Sequence, residues 1–423
     1  VELIARVRSF FANLGPGLIT GAADDDPSGI STYSVAGAST GYSMLWLTLI
    51  STPMMAVIQG MCARIAMVNG VGLAAVMRKR LPPWLTYALA VMVIVANTFN
   101  VGADIGGMAA AANLVVPVPR DALVFLFGIV LIATQTWLPY PTIARIFKWL
   151  TVALFAYVVT AFVVRPPWGT VFLSFAVPQI RFQAAWLSTM VGVLGTTITP
   201  YLFYWQSALM IEQEKEIGER TIAQRRGTDQ RALTDMHSDV NAGMIYSNVV
   251  AFFIIVTTAA TLGAHGMTNI ATADQAARAL RPLAGPFAEV LFALGMVGTG
   301  ILAVPVLAAS SAYVAAETFR FREGLGEKLA RAPRFYGTVA TGILIGIAMN
   351  LLRVDAIKAL FWSAVLNGVA AVPLIAVIVM LASSRKVMGK WASSALARAW
   401  GWGTFALMAA ATAGMFYFML RPS

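Results

Sequence analysis

The chain of 423 residues holds a single cysteine, Cys62, and two histidines, His237 and His265. One thiol excludes an internal disulfide and any thiolate metal cluster. Both histidines are expected in loops, which excludes a histidine-built site inside the membrane. Charge is scarce as well. Only 12% of residues are Asp, Glu, Lys or Arg, against about 25% in soluble domains. No pairing of nucleophile and base and no His-rich metal site is in view, so an intramembrane enzyme is not expected, nor is a resident cofactor.

What the chain has instead is apolar sequence from end to end. Hydrophobic residues make up 59% and the mean hydropathy is +0.75. This is an all-α polytopic membrane protein, one transmembrane domain with the lipid bilayer as its surroundings. A span needs about 20 apolar residues. Eleven stretches qualify, near 15–39, 43–63, 85–112, 121–137, 147–164, 186–209, 243–264, 286–316, 337–352, 357–382 and 402–420. The first run contains aspartates and does not read as a cleavable signal. The stretch 212–241 is the only long polar one and is expected to be a cytoplasmic helix-loop connection.

The net charge of +11 would suit a nucleic acid, but the cations lie in short loops between spans, where they orient a membrane protein. With the N-terminus in the cytoplasm, 22 of the 30 Lys and Arg fall on the inner side. The expectation is therefore N-inside and C-outside, in a bacterial cell membrane, as a monomer with no nucleic-acid partner.

The first span reads Gly-Ala-Ala-Asp24-Asp25-Asp26-Pro27-Ser28-Gly29. One acid at the centre of a spanning helix costs roughly 2.5–3.5 kcal/mol on insertion scales. Three facing lipid would cost on the order of 8–10 kcal/mol on that scale. Such a cluster needs water, a cation or a basic partner. Pro27 donates no backbone hydrogen bond and disfavours helix at Asp26. A helix broken in mid-membrane follows, with carboxylates and freed carbonyls at the break.

A second proline interrupts span six, in Gly195-Thr196-Thr197-Ile198-Thr199-Pro200-Tyr201. Taken alone it reads as a proline kink with back-bonded threonines. Interrupted spans at matching positions in two halves instead point to a transporter site. The oxygens on offer are Asp26, its neighbours Asp25 and Asp24, break carbonyls near Thr196, and the Thr199 hydroxyl. Oxygen-only donors suit Mg²⁺, Ca²⁺ or Mn²⁺. Successive helical residues point about 100° apart, so the three aspartates cannot share one ion. Asp26 is the expected direct ligand, with Asp24 and Asp25 lining a vestibule or holding a hydrated ion through its waters.

Further polar residues lie inside the spans. Asn97, Asn100 and Asp104 share one helix face, as interhelical glue or as a water pathway, and Asp104 favours the pathway. Asn367 in span ten is a candidate for completing a coordination sphere. Glu289 and Glu317 are expected at the interface.

At these motifs the chain resembles the Nramp family (natural resistance-associated macrophage proteins), divalent transition-metal transporters. The likeness runs through Gly15-Pro16-Gly17, Asp26-Pro27, Gly41-Tyr42-Ser43-Met44-Leu45-Trp46, Thr199-Pro200 and Ser384-Arg385-Lys386-Val387-Met388-Gly389. It implies the leucine-transporter-like fold, two inverted five-helix repeats at about 12–166 and 184–383 with an extra helix at about 400–420. It also implies alternating access to a metal substrate held at the breaks of helices one and six.

The departures are specific. Gly29 stands where the family has an asparagine ligand, Thr199 where it has methionine, Tyr201 where it has histidine, and Gly107 where it has a glutamate three residues after the acid matched by Asp104. A thioether favours soft metals and a hydroxyl hard ones, so the changes point to a divergent branch carrying Mg²⁺ or Mn²⁺, with the magnesium-transporting type among the expectations, and they argue against tight proton coupling. Gly29 is expected to leave room for the waters of a hydrated ion. Competing readings on the same fold are a transporter of an organic cation, one of amino acids (disfavoured, since three aspartates repel a carboxylate), and a relative that no longer transports.

Overall fold

The computed structural model describes residues 20–21, 23–137, 152–352 and 354–421. Gly15-Pro16-Gly17, the start of the first span and residues 147–151 of the fifth lie outside the described residues. The longer helices are α1 (Pro27–Thr40), α2 (Leu45–Asn69), α3 (Leu73–Arg80), α4 (Pro83–Ala112), α5 (Arg120–Trp137), α6 (Phe155–Val164), α7 (Trp168–Ala176), α8 (Ala184–Thr197), α9 (Pro200–Glu216), α10 (Gln230–Thr261), α11 (Ala288–Phe319), α12 (Pro333–Asn350), α13 (Ala356–Ser383) and α14 (Ala395–Leu420).

Among the described residues seven helices are long and apolar enough to cross a membrane: α2, α4, α5, α10, α11, α13 and α14. They match seven of the eleven expected spans. Spans one and six are broken and so yield only short helices, the fifth is described only in part, and the ninth is the 18-residue α12.

Both breaks follow from proline chemistry. Asp26 is extended at φ −69°, ψ 172° and caps α1, with Pro27 in the first turn. Proline fits there because its missing N–H would have no helical partner. Thr199, at φ −92°, ψ 137°, precedes Pro200 in the same way, and α8 ends at Thr197.

The described half of the first broken span is enclosed by other helices. This half, α1, packs on α10, α8, α13 and α4, while α4 also lies along α11, α12 and α13. Small residues allow the close crossings, as expected between membrane helices. A Cβ on Gly195 of α8 would strike the Ala364 carbonyl and Gly368 of α13.

The polar stretch 212–241 is a helix-loop connection, in which α9 runs to Glu216 and α10 starts at Gln230, capped by the Asp229 side chain. Two expectations are corrected. His237 lies in a helix, α10, and not in a loop. Glu317 is not interfacial. It is buried, and its Oε2 accepts the Ala75 N–H of α3 at 2.9 Å, satisfying a donor that the first turn of a helix leaves open. Arg78 of α3 donates back to the Glu317 carbonyl.

Candidate functional site

The break in the first span orders the three aspartates differently. Asp26 is 1% exposed. Its Oδ1 accepts the Ser28 hydroxyl at 2.6 Å and the Gly29 N–H at 2.7 Å. Its Oδ2 accepts the Asn100 amide of α4 at 3.1 Å. These donors fix the orientation of the carboxylate.

Asp24 and Asp25 turn toward α10. Ser247 lies 2.6 Å from Asp24 Oδ2 and 3.2 Å from Asp25 Oδ1. A hydroxyl has one hydrogen, so it serves one carboxylate at a time. Asp24 Oδ1 and Asp25 Oδ2 are buried without a partner. The vestibule expected beside them is closed in this conformation, since both residues are fully buried. The structure thus separates Asp26, extended at the break, from its two neighbours.

Asp104 is fully buried, within electrostatic reach of Asp26 and beside the Ser28 backbone N–H. None of the ion pairs between described residues involves Asp24, Asp25, Asp26 or Asp104. Four carboxylates are therefore buried without a basic partner among the described residues, an arrangement that calls for cations or protons.

The second break faces the first. Thr197 bonds back to the carbonyls of Val193 and Leu194. Thr196 points its hydroxyl at Gly29, where a Cβ would come within 3.2 Å of it. The Thr199 hydroxyl is buried and has no partner. Tyr201 donates to the Ala23 carbonyl at 2.9 Å, and Ser310 of α11 donates to the Tyr201 carbonyl at 3.0 Å. Tyr201, expected along an ion pathway, here bridges the two breaks and occupies a freed carbonyl.

Gly29 does not open space. Thr196, the Asp24 carbonyl and the Tyr33 ring all lie within 3.4 Å of the place its Cβ would take, and its N–H is committed to Asp26. Asn367 is buried with Oδ1 unpartnered, and no hydrogen bond links it to Asp26. Asn97 donates to Ser311 of α11 at 3.1 Å and is interhelical glue, while Asn100 belongs to the site. At Gly107 a Cβ would lie 2.8 Å from Leu360 Cδ1 and 3.2 Å from Met296 Cε, so apolar side chains fill the place of the missing acid. Sequence reasoning missed Ser247 and the role of Ser28. Ser28 had a signal in its place two residues after Asp26. Ser247 had none.

Among the described residues no group of three or more His, Cys, Asp or Glu is arranged to hold a metal. A metal here would need hydroxyl, carbonyl or water oxygens beside a carboxylate, and the unpartnered Thr199 hydroxyl is of that kind.

A family model described as natural resistance-associated macrophage protein-like, Nramp, matches residues 17–418. The chain belongs to this family. Nramp relatives include a divalent metal cation transporter MntH of Agrobacterium fabrum, 28% identical over 84% of this chain and 78% of the relative. Another is the MntH of Klebsiella pneumoniae strain 342, 26% identical over 94% of this chain and 92% of the relative. The solved structure of an Eremococcus coleocola manganese transporter, bound to an aromatic bis-isothiourea compound, superimposes with a TM-score of 0.75 at 19% identity, covering 98% of this chain and 89% of that one. Inward-facing Mhp1 follows at 0.53 and 14%, covering 96% and 90%. The Nramp chain therefore has the leucine-transporter-like fold that the resemblance implied.

Proposed function

We propose that this Nramp member is a secondary transporter of divalent metal cations, with the ion held at the facing breaks of the first and sixth spans. The observation that carries the proposal is the set of four buried carboxylates with no basic partner among the described residues. The names of the MntH relatives agree with it.

Asp26 supplies the charge that binds the ion, and its Ser28, Gly29 and Asn100 donors hold it ready. The Thr199 hydroxyl supplies a second oxygen. Both are hard donors, and a site of one carboxylate, one hydroxyl and waters suits Mg²⁺ or Mn²⁺ better than soft metals. Asp24 and Asp25 draw cations toward the break. Rocking of the halves around the breaks exposes the site to one side and then the other. The protein works in a bacterial cell membrane as a monomer, N-terminus inside and C-terminus outside.

Uptake of Mn²⁺ and Mg²⁺ into proteoliposomes tests the reading. Saturable, protein-dependent uptake is expected. Absence of both fluxes alongside uptake of an organic amine would replace the substrate class.

A further inference from the structure

A second polar site lies far along the chain from the aspartates. A cavity of about 430 Å³ is lined by Ser383, Arg385, Gly389, Lys390, Ser393 and Arg398. It forms where α13 ends and α14 begins. The Ser393 N–H bonds the Ala382 carbonyl at 2.9 Å, Gly389 turns the chain at φ 56°, Met388 is buried beneath, and Ser394 caps α14. The loop is thus pinned at its base.

Cations converge on this cavity, and no acid among the described residues pairs with them. No lining residue is acidic, and Arg385, Lys390 and Arg398 take part in none of the ion pairs among the described residues. Arg64 of α2 adds a fourth charge from behind, donating to Ser393 Oγ at 2.7 Å. Its Nε is buried without a partner, as is the Ser383 Oγ of the lining. Scattered loop cations are enough to orient a membrane protein. Convergence on one cavity, backed by a helix arginine, goes beyond that need and leaves like charges repelling one another.

The surroundings place the cavity at headgroup depth. Trp400 and Trp402 in the first two turns of α14 are 37% and 42% exposed, and the Lys390 ammonium lies 4.8 Å over the Trp391 ring. Tryptophans of this kind mark the membrane interface. Basic pockets between membrane helices at that depth bind anionic headgroups, and arginine matches phosphate oxygens in pairs.

We propose that this cavity is a phosphate-binding site that takes the headgroup of an anionic phospholipid. The test is native mass spectrometry of the full chain titrated with phosphatidylglycerol, phosphatidylcholine or inorganic phosphate. Bound phosphatidylglycerol is expected at concentrations where phosphatidylcholine leaves no adduct. The Arg385→Gln/Arg398→Gln double variant should weaken it by about twenty-five-fold, a factor of about five for each cation removed. Arg331→Gln removes an exposed cation outside the cavity and should leave binding unchanged. Equal phosphatidylglycerol binding by parent and double variant overturns the site, and so does an equal loss in Arg331→Gln. Displacement of the lipid by equimolar inorganic phosphate overturns the lipid assignment and gives the cavity to free phosphate.

Discussion

Asn100 donates to Asp26 Oδ2 across 3.1 Å, and Asp104, one turn further along the same helix, brings a second buried carboxylate toward that aspartate. Helix α4 thus positions one carboxylate and sets another beside it. Asn100→Ala removes a hydrogen bond to a charged group, worth about 1.5–3 kcal/mol. The apparent affinity for Mn²⁺ should fall about tenfold or more, while maximal transport changes little. Isothermal titration together with flux at saturating metal checks this. Unchanged affinity would mean that the amide does not hold the binding carboxylate.

Transport should be only weakly coupled to protons. The family's second acid on this helix is Gly107 here, with Leu360 and Met296 filling the space. The family's histidine is Tyr201, whose hydroxyl is engaged by the Ala23 carbonyl. A phenol, with reference pKa about 10, does not relay protons readily near neutral pH. A pH-sensitive dye inside liposomes reads the outcome. Lumen acidification that tracks metal entry one for one would contradict it, and would point to Asp104, Asp24 and Asp25 as a substitute route.

Restoring the acid should damage the protein. Gly107→Glu drives a side chain into Leu360 and Met296, and overpacking of that kind costs about 1–3 kcal/mol. Thermal unfolding in detergent should show a lower midpoint, partly recovered when Leu360→Ala is added. Unaltered stability in the single variant would mean that the neighbouring helices yield freely.

Thr199 should set the choice of metal. Its hydroxyl is buried and unpartnered, and a thioether in its place favours softer ions. Thr199→Met should raise Cd²⁺ or Mn²⁺ binding relative to Mg²⁺, with some loss overall because the side chain is larger. The ratio between metals is the quantity to measure. An unchanged ratio, or a parent that already prefers Cd²⁺, removes the hard-ion reading.

Local signals carried much of this site. Asp26-Pro27 and Thr199-Pro200 marked both breaks because proline constrains its own residue and the one before it. The spacing of Asn100 and Asp104 put both on one face. Partners that meet only through the fold were not legible. Ser247 reaches Asp24 and Asp25 across more than 220 residues of chain, and Tyr201 reaches Ala23 across 178. The expected room at Gly29 was lost to Thr196 and Tyr33, neighbours that no local pattern reveals. The start of α10 was hidden because its first turns are polar and lack an apolar stripe.

Metal flux through Asp26→Asn tests the central claim most directly. The substitution keeps the volume and removes the one carboxylate of the break that three donors hold in place. In proteoliposomes of matched protein content, Mn²⁺ and Mg²⁺ uptake should fall to the level of protein-free vesicles. Asp24→Asn and Asp25→Asn should each retain measurable flux at higher metal concentration. Equal uptake by the parent and Asp26→Asn would contradict the account and place the ion elsewhere.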